Sequence, residues 1–454
     1  MTTVTVDPSS ELGPVRPMNA VNNGPVVARS DQSRGNFADF RALRVPYART
    51  HDSINQATSN GHTVDISAVF PDFAADENDP ASYDFAYTDA FLEAIVAAGT
   101  KPFFRLGQTI ENGIKKYHVF PPADFAKWAR VCEHVILHCN EGWCDGHEWD
   151  IEYWEIWNEP DAQPDERCAE SCQWQGTKAQ FFEFYETVAK HLKGRFPDLR
   201  IGGPAMGWHM DWAEEFIKWQ RERGTPIDFF SWHAYVGGIA RLESQSREVR
   251  RLLDGNGYAT TESVLDEWNY VKGWTTEFPY SLRAIASNVG GAFTAAYLCA
   301  AQNSPVDMLM YYDARPETVF NGLFDFRSFA PLPAYYALFS WADLRELGTQ
   351  VDARVEPASR ENDIVRAVAA RGADGSLGVL VARYCDDRNV TAPAAFALRL
   401  ASGRFAGRVR GYLTDEDRLH SPVHLVPSED GTVRFSLAPN AFLFIETRVE
   451  TNAE

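Results

Sequence analysis

The sequence predicts an α/β protein, a (β/α)8 TIM barrel carrying an accessory antiparallel β-sandwich. Short apolar runs alternate with helical periods through most of the first three quarters of the chain, the pattern of parallel strands joined by crossover helices. The first strand is not followed by a Gly-rich phosphate loop, as an open doubly wound sheet would require, so closure into a barrel is favoured. Beyond residue 342 the pattern becomes short alternating runs broken by Gly and Asp turns, which suits antiparallel sheet. The expected division is an extended arm at 1–13 (a candidate for joining the sandwich), a catalytic barrel at 14–344 and the sandwich at 345–454.

Each element has its own signal. Residues 17–25 read as the first strand running into a turn, and 37–43 as a short helix with Asn36 at its N-cap. Strand two is 44–49, ending at Thr50, His51, Asp52 and Ser53. A helix with Phe85, Leu92, Ile95 and Val96 on one face is stopped by Gly99, and strand three follows at 102–106. Helical spacing of Phe125, Trp128, Val131, Val135 and Ile136 leads to strand four. Helices at 180–192, 212–219 and 242–253 alternate with strands five at 200–204, six at 227–232 and seven near 264–267. Residues 281–301 read as one long packed helix before strand eight at 308–312. In the last quarter, 378–383, 396–400 and 441–446 are the clearest strands.

Composition narrows the function. Net charge is −20, which argues against nucleic acid and anionic membranes as partners, since both require basic surface. No apolar run approaches a membrane span, and the N-terminus lacks the basic and apolar regions of a signal peptide, so a cytoplasmic protein is expected. Aromatic residues are abundant, at 13% with 13 Trp, which suits sugar-binding clefts as well as large cores. Seven cysteines make an odd number. Cys132, Cys139, Cys144, Cys168 and Cys172 crowd strand four with His138 and His147, but their spacing is looser than a zinc knuckle. Reduced thiols and no metal or cofactor are the expectation.

The chemistry lies at two strand ends. In Trp154-Glu155-Ile156-Trp157-Asn158-Glu159-Pro160-Asp161, an apolar strand presents Glu159 beside an amide and indoles. Pro160 is expected to hold Glu159 extended. Val264-Leu265-Asp266-Glu267-Trp268-Asn269 repeats the arrangement 108 residues later (267 minus 159). At roughly 30 to 45 residues per strand-plus-helix unit, that is about three units, the separation of strands four and seven across the top of a barrel. Such pairing fits a general acid and a nucleophile on one glycosidic bond. A lone strand-end Glu would otherwise read as half of an ion pair.

With these motifs, and with Asn19-Ala20-Val21-Asn22, Arg49-Thr50-His51, Gly99-Thr100-Lys101-Pro102-Phe103, Ile201-Gly202-Gly203-Pro204 and His233-Ala234-Tyr235, the chain resembles the retaining glycosidases of clan A. More closely it resembles glycoside hydrolase family 39, which includes β-xylosidases and α-L-iduronidase. The resemblance implies Glu159 as acid/base and Glu267 as nucleophile. It further implies Asn158 on the sugar 2-hydroxyl, His233 and Tyr235 lining the pocket and holding the nucleophile, and His51 touching the sugar. Trp268, Trp174, Tyr312 and Asp313 are further candidates for the pocket wall, each with a packing role as the alternative, while Arg49 reads as an ion pair holding strand-end carboxylates. Tyr312 stands where the xylosidases commonly have Trp. The expected activity is release of a neutral pentose, β-D-xylosidase first and α-L-arabinofuranosidase second. A non-catalytic carbohydrate-binding barrel is the reading from another class. A glycoside substrate is the one partner implied; oligomeric state and linkage are not encoded in these signals.

Overall fold

The computed structural model describes the chain except residues 32, 52–62, 109–118, 163–172, 358–361, 388 and 451–454. Asp52 and Ser53 at the end of strand two, and Cys168 and Cys172, therefore lie outside the described residues. The chain opens on β1 (Thr2–Pro14) and then enters a closed parallel barrel. Its strands are β2 (Ala20–Asn22), β3 (Tyr47–Arg49), β4 (Lys101–Leu106), β5 (Tyr153–Ile156), β6 (Arg200–Met206), β7 (Phe229–Val236), β8 (Glu262–Tyr270) and β9 (Met308–Tyr311). Register closes the ring, with Val21 of β2 opposite both Ala48 of β3 and Tyr311 of β9. The fourth and seventh barrel strands, which carry the two glutamates, are thus β5 and β8.

The inward faces follow the two-residue period of a strand. A lower layer of Ala20, Phe103, Tyr153, Phe229, Val264, Met308 and Met310 plugs the barrel, with Phe103 stacked on Tyr153 at 5.0 Å. Two residues further along five of these strands stand Asn22, Arg105, Glu155, Ser231 and Asp266, and Arg49 takes the equivalent place on β3. All six are buried, so the barrel changes from an apolar plug to a charged layer within one step of the pleat. A charged layer of this kind is stable only if its members satisfy one another.

Helices seal the outside. The helix Phe125–Glu141 begins where Asp124 accepts from the Lys127 N–H and ends at Gly142, whose φ of 72° favours glycine. The helix Lys178–Arg195 starts with a Thr177/Gln180 capping box. The long helix expected over 281–301 is two helices, Phe278–Ile285 and Asn288–Gln302, meeting at 79°. Ser287 restarts the second by accepting from the Val289 N–H, and Gly291 lies so close to Pro333 that a Cβ there would be 2.6 Å away. A helix the sequence reading missed, Pro333–Leu347, runs past residue 344 and ends at Gly348. It buries residues around most of its circumference, which erases the periodic signal.

The remaining strands are β10 (Thr349–Glu356), β11 (Ile364–Arg371), β12 (Ser376–Tyr384), β13 (Ala394–Leu400), β14 (Arg404–Thr414), β15 (Ser421–His424), β16 (Val433–Leu437) and β17 (Ala441–Glu450). They form a mixed, mostly antiparallel sheet in the order β15-β14-β17-β12-β11-β10-β1-β13-β16. β1 lies inside it, antiparallel to β10 and parallel to β13. Side chains from both ends of that order, such as Phe396 and Leu398 with Leu413 and Leu443, share one core, so the sheet closes over itself. Strands β11, β12 and β17 turn their other face, through Val368, Leu380, Ala382 and Phe444, into the core that covers the barrel. Burial on both faces explains why 379–382 and 441–445 are continuous apolar runs.

Candidate active site

A bulge in β8 builds the centre of the site. Along the β7–β8 ladder Trp232 pairs with Leu265 and His233 with Glu267, leaving Asp266 as the extra residue. Two successive acids, Asp266 and Glu267, therefore both face inward, which a regular strand forbids. Trp268 then falls on the outer face, stacked on Tyr297 at 4.3 Å and edge-on to Tyr311. Trp268 is thus a packing residue between barrel and helices and not part of the pocket wall.

Arg49 is the hub. Its buried guanidinium donates Nε to Glu155 Oε2 at 2.6 Å and lies 3.0 Å from Asp266 Oδ2. Nη1 donates to Glu267 Oε1 at 2.8 Å and to Asn22 Oδ1 at 3.0 Å, and Nη2 to Asn158 Oδ1 at 2.6 Å. This matches the structural reading of Arg49 made from sequence. With its oxygen so occupied, Asn158 keeps a buried Nδ2 that has no hydrogen-bond partner among the described residues.

Glu267 is enclosed by donors. Besides Arg49, His51 Nε2 lies 2.8 Å from Oε1, and Tyr235 Oη donates to Oε2 at 2.6 Å. Burial alone raises a carboxyl pKa, but the charges of His233, His51 and Arg49 reverse this and hold Glu267 well below the usual carboxylate range. His233 shows the mirror effect: burial opposes its charge, yet Glu267 and Asp266 keep its proton bound well above the usual imidazole range. Deeper in the barrel, burial outweighs Arg49 and raises Glu155 to about 8, helped by neighbouring Asp266. Of the three carboxyls around Arg49, Glu155 is thus the one inclined to hold a proton, while Asp266 and Glu267 are held below the usual range.

Glu159 reaches the same place from β5. One of its oxygens, one of Glu267's and the ring nitrogen of His233 all lie within 4.8 Å of one another. His233 Nδ1 is 2.7 Å from Glu159 Oε1, and Gln173 Nε2 donates to Oε2 at 3.2 Å. The expected extended backbone is corrected here, because Glu159 has a φ of 44°, in the left-handed region. That turn is pinned from both sides. The Glu159 N–H donates to the Ala205 carbonyl, and Asp161 accepts from the N–H groups of Gly207, Trp208 and His209 at 2.6, 2.9 and 2.8 Å. Strain of this kind persists where the surroundings over-determine it, as they do here.

The remaining candidates separate clearly. Tyr312 stands edge-on to His51 at 5.4 Å and near Tyr235, in the wall. Asp313 is buried beneath, accepting from Asn23 and from the Arg315 N–H and lying 3.1 Å from the Arg315 guanidinium; burial raises it to about 6. Trp174 is a correction: its indole is buried against Trp157, Phe181 and Phe184, where it packs a helix. Its neighbour Gln173, which sequence reasoning missed, is the one that meets Glu159. Trp274 was also missed; it is 56% exposed and edge-on to Tyr235 at 5.2 Å, at the pocket's rim. Glu159, His233 and Glu267 have metal-ligand spacing, but His233 itself holds a proton and Arg49 lies 2.8 Å from Glu267, and both charges oppose a metal ion.

The model of the glycosyl hydrolases family 39 matches residues 2–305. The chain belongs to that family. It is 29% identical over 209 residues to a β-xylosidase of Geobacillus stearothermophilus, covering 44% of this chain and 39% of that one. A β-xylosidase of Caldicellulosiruptor saccharolyticus is 27% identical over 216 residues, covering 45% and 40%. The matched stretch thus spans about two-fifths of the length of these curated relatives. Among solved structures, a glucosidase from Croceicoccus marinus superposes with a TM-score of 0.79 at 22% identity, covering 100% of this chain and 99% of that one, a likeness of fold.

Proposed function

We propose that this family 39 glycosidase is an exo-acting, retaining hydrolase of neutral pentosides, β-D-xylosides first, with Glu267 as nucleophile and Glu159 as acid/base. The observation that carries the reading is the approach of the two carboxylates to within 4.8 Å, Glu267 deeply buried among Arg49, His51 and Tyr235 and Glu159 met by His233 and Gln173. Retaining enzymes hold their carboxyl groups about 5–5.5 Å apart, whereas inverting ones leave about 6.5–9.5 Å for a water. Glu267 would attack the anomeric carbon while Glu159 protonates the leaving oxygen. Once Glu267 is esterified, its charge is gone, and Glu159 can take a proton from the incoming water. The free Nδ2–H of Asn158 suits the sugar 2-hydroxyl, where a hydrogen bond strengthens as the oxocarbenium ion develops.

A neutral sugar is supported by the wall. Arg315, the basic residue just beyond β9, is engaged with Asp313, and Tyr312 and Tyr235 offer rings and hydroxyls. Tyr312 stands where the xylosidases commonly have Trp, and α-L-arabinofuranosides are the second reading. A panel of nitrophenyl pentosides and hexosides, followed by proton NMR of the first-formed sugar, tests both levels. We expect fastest release from the β-xyloside with the β-anomer appearing first. Initial appearance of the α-anomer from that substrate would sink the double displacement, and a faster arabinofuranoside or glucoside would reassign the sugar.

A further inference from the structure

On the flank of the barrel, Asp89, His138 and His147 converge on one point that the glycosidase site does not use. His138 Nε2 lies 2.9 Å and His147 Nε2 3.6 Å from Asp89 Oδ1, and the three ligand atoms fall within 4.8 Å of one another. We infer that these three side chains form a binding site for a divalent transition metal of the zinc class.

The geometry points that way on four counts. Tetrahedral zinc with bonds of about 2.0–2.2 Å sets its ligand atoms about 3.3–3.5 Å apart, and the two observed distances bracket that value. Each imidazole is already oriented. His138 Nδ1 is 2.9 Å from the Trp143 carbonyl, which can only accept, so this nitrogen carries the proton and Nε2 is left for Asp89. A carbonyl behind the distal nitrogen is the usual second contact of a metal-bound histidine. Phe85 stacks on His138 at 3.5 Å and Trp149 on His147 at 3.8 Å, so both rings are clamped.

The backbone fixes the third ligand as well. The His147 N–H donates to the His138 carbonyl at 2.6 Å, and Gly142 donates back to the His147 carbonyl at 2.9 Å. Between them Gly146 passes so close that a Cβ would lie 2.2 Å from the His138 oxygen. Only glycine lets the loop return to the helix end and bring His147 to Asp89. The side chains of Asp89 and His147 remain about a quarter exposed (24% and 25%), which leaves water access to a fourth position. A metal here would join the helix Ala86–Ala97, the helix Phe125–Glu141 and the loop that leads into β5, so its effect is on stability and independent of the reaction.

The test uses the full chain, stripped of metal with a chelator, and titrates it with zinc by calorimetry and with cobalt by visible absorption. Zinc should bind at one equivalent, and free zinc at about 100 times the dissociation constant is expected to raise the melting temperature by a few degrees; cobalt should develop the d–d bands of a low-symmetry site. Asp89→Asn and His147→Ala, both at partly exposed positions, should each weaken zinc by tenfold or more. Cys144→Ser, in the same loop as His147, should leave binding within threefold. No binding to the wild type, or equal affinity in His147→Ala, overturns the site and reduces the trio to a histidine–aspartate ion pair. Loss confined to Cys144→Ser overturns it in favour of a thiol site.

Discussion

Glu267 and Glu159 are the same side chain in the same pocket, yet their surroundings differ in kind. Glu267 is 4% exposed and receives Arg49, His51 and Tyr235, with His233 alongside. Glu159 is 23% exposed and is met by His233 and Gln173. A carboxylate fixed by several donors cannot readily accept a proton, but it is well placed for attack. One with few fixed donors and access to solvent can exchange its proton within each turnover. The difference also has a backbone origin: Glu267 stands beside a bulge inside a strand, and Glu159 on a positive-φ turn beyond one.

The strongest way to break this comparison is to remove the buried partner. Glu267→Gln keeps the volume and should lower kcat by about 10⁴-fold or more, ~5.5 kcal/mol, on every substrate the wild type cleaves. Glu267→Ala takes one anion from Arg49, His51 and His233 while Asp266 remains, so it should also melt earlier; breaking a buried ion pair costs up to about 3–5 kcal/mol. Azide added to Glu267→Ala should return activity as a glycosyl azide of inverted configuration. Comparable turnover by Glu267→Gln and wild type would remove the nucleophile assignment, and with it the catalytic reading of the barrel.

Removing the exposed partner should cost less, and unevenly. Glu159→Ala is expected to lose about 10²–10⁴-fold in kcat/KM on alkyl and sugar aglycones, the range for general acid–base assistance. On dinitrophenyl glycosides, which leave without a proton, the first step should be nearly unimpaired and azide should speed the second. Because Glu159 touches fewer groups, the melting temperature should move less than in Glu267→Ala. An equal loss across leaving groups would mean that Glu159 positions the substrate and does not donate its proton.

Sequence reasoning reached the barrel and both glutamates because each leaves a one-dimensional trace: alternating periods for the fold, and an acid with Trp and Asn beside it at a strand end. It failed where the deciding feature is a local irregularity. A two-residue period puts Asp266 and Trp268 on one face and Glu267 on the other; the bulge at Asp266 is what turns both acids inward and Trp268 out. Trp174 suffers the same fate, since an indole next to a helix start reads alike whether it stacks on a sugar or on Phe184. The role of Arg49 was legible as an ion pair, but its five partners come from β2, β5, β8 and the turn after β5, which no spacing reveals. Pro333–Leu347 was invisible for the opposite reason, being apolar on nearly every side.

The smallest expected effect sharpens the comparison from beneath. Below Glu267, the buried Glu155 shares the Arg49 guanidinium with Asp266. The folded pKa of Glu155 is raised from 4.5 to about 8, first by burial and then by Asp266 against the opposing pull of Arg49. A raised folded pKa contributes stability that is fully present below pH 4.5 and is lost as the pH climbs towards 8, because the unfolded chain gives up this proton first. For one proton the slope is at most about 1.4 kcal/mol per pH unit. Glu155→Gln retains an oxygen for Arg49 and an N–H for Asp266 but has no proton to lose. Melting temperatures measured between pH 5 and 8 should therefore show the wild type losing ground steadily to Glu155→Gln, with little change in kcat at pH 6. A difference that stays flat across that window would mean Glu155 is charged throughout, with Arg49 then facing three buried anions in Glu155, Asp266 and Glu267.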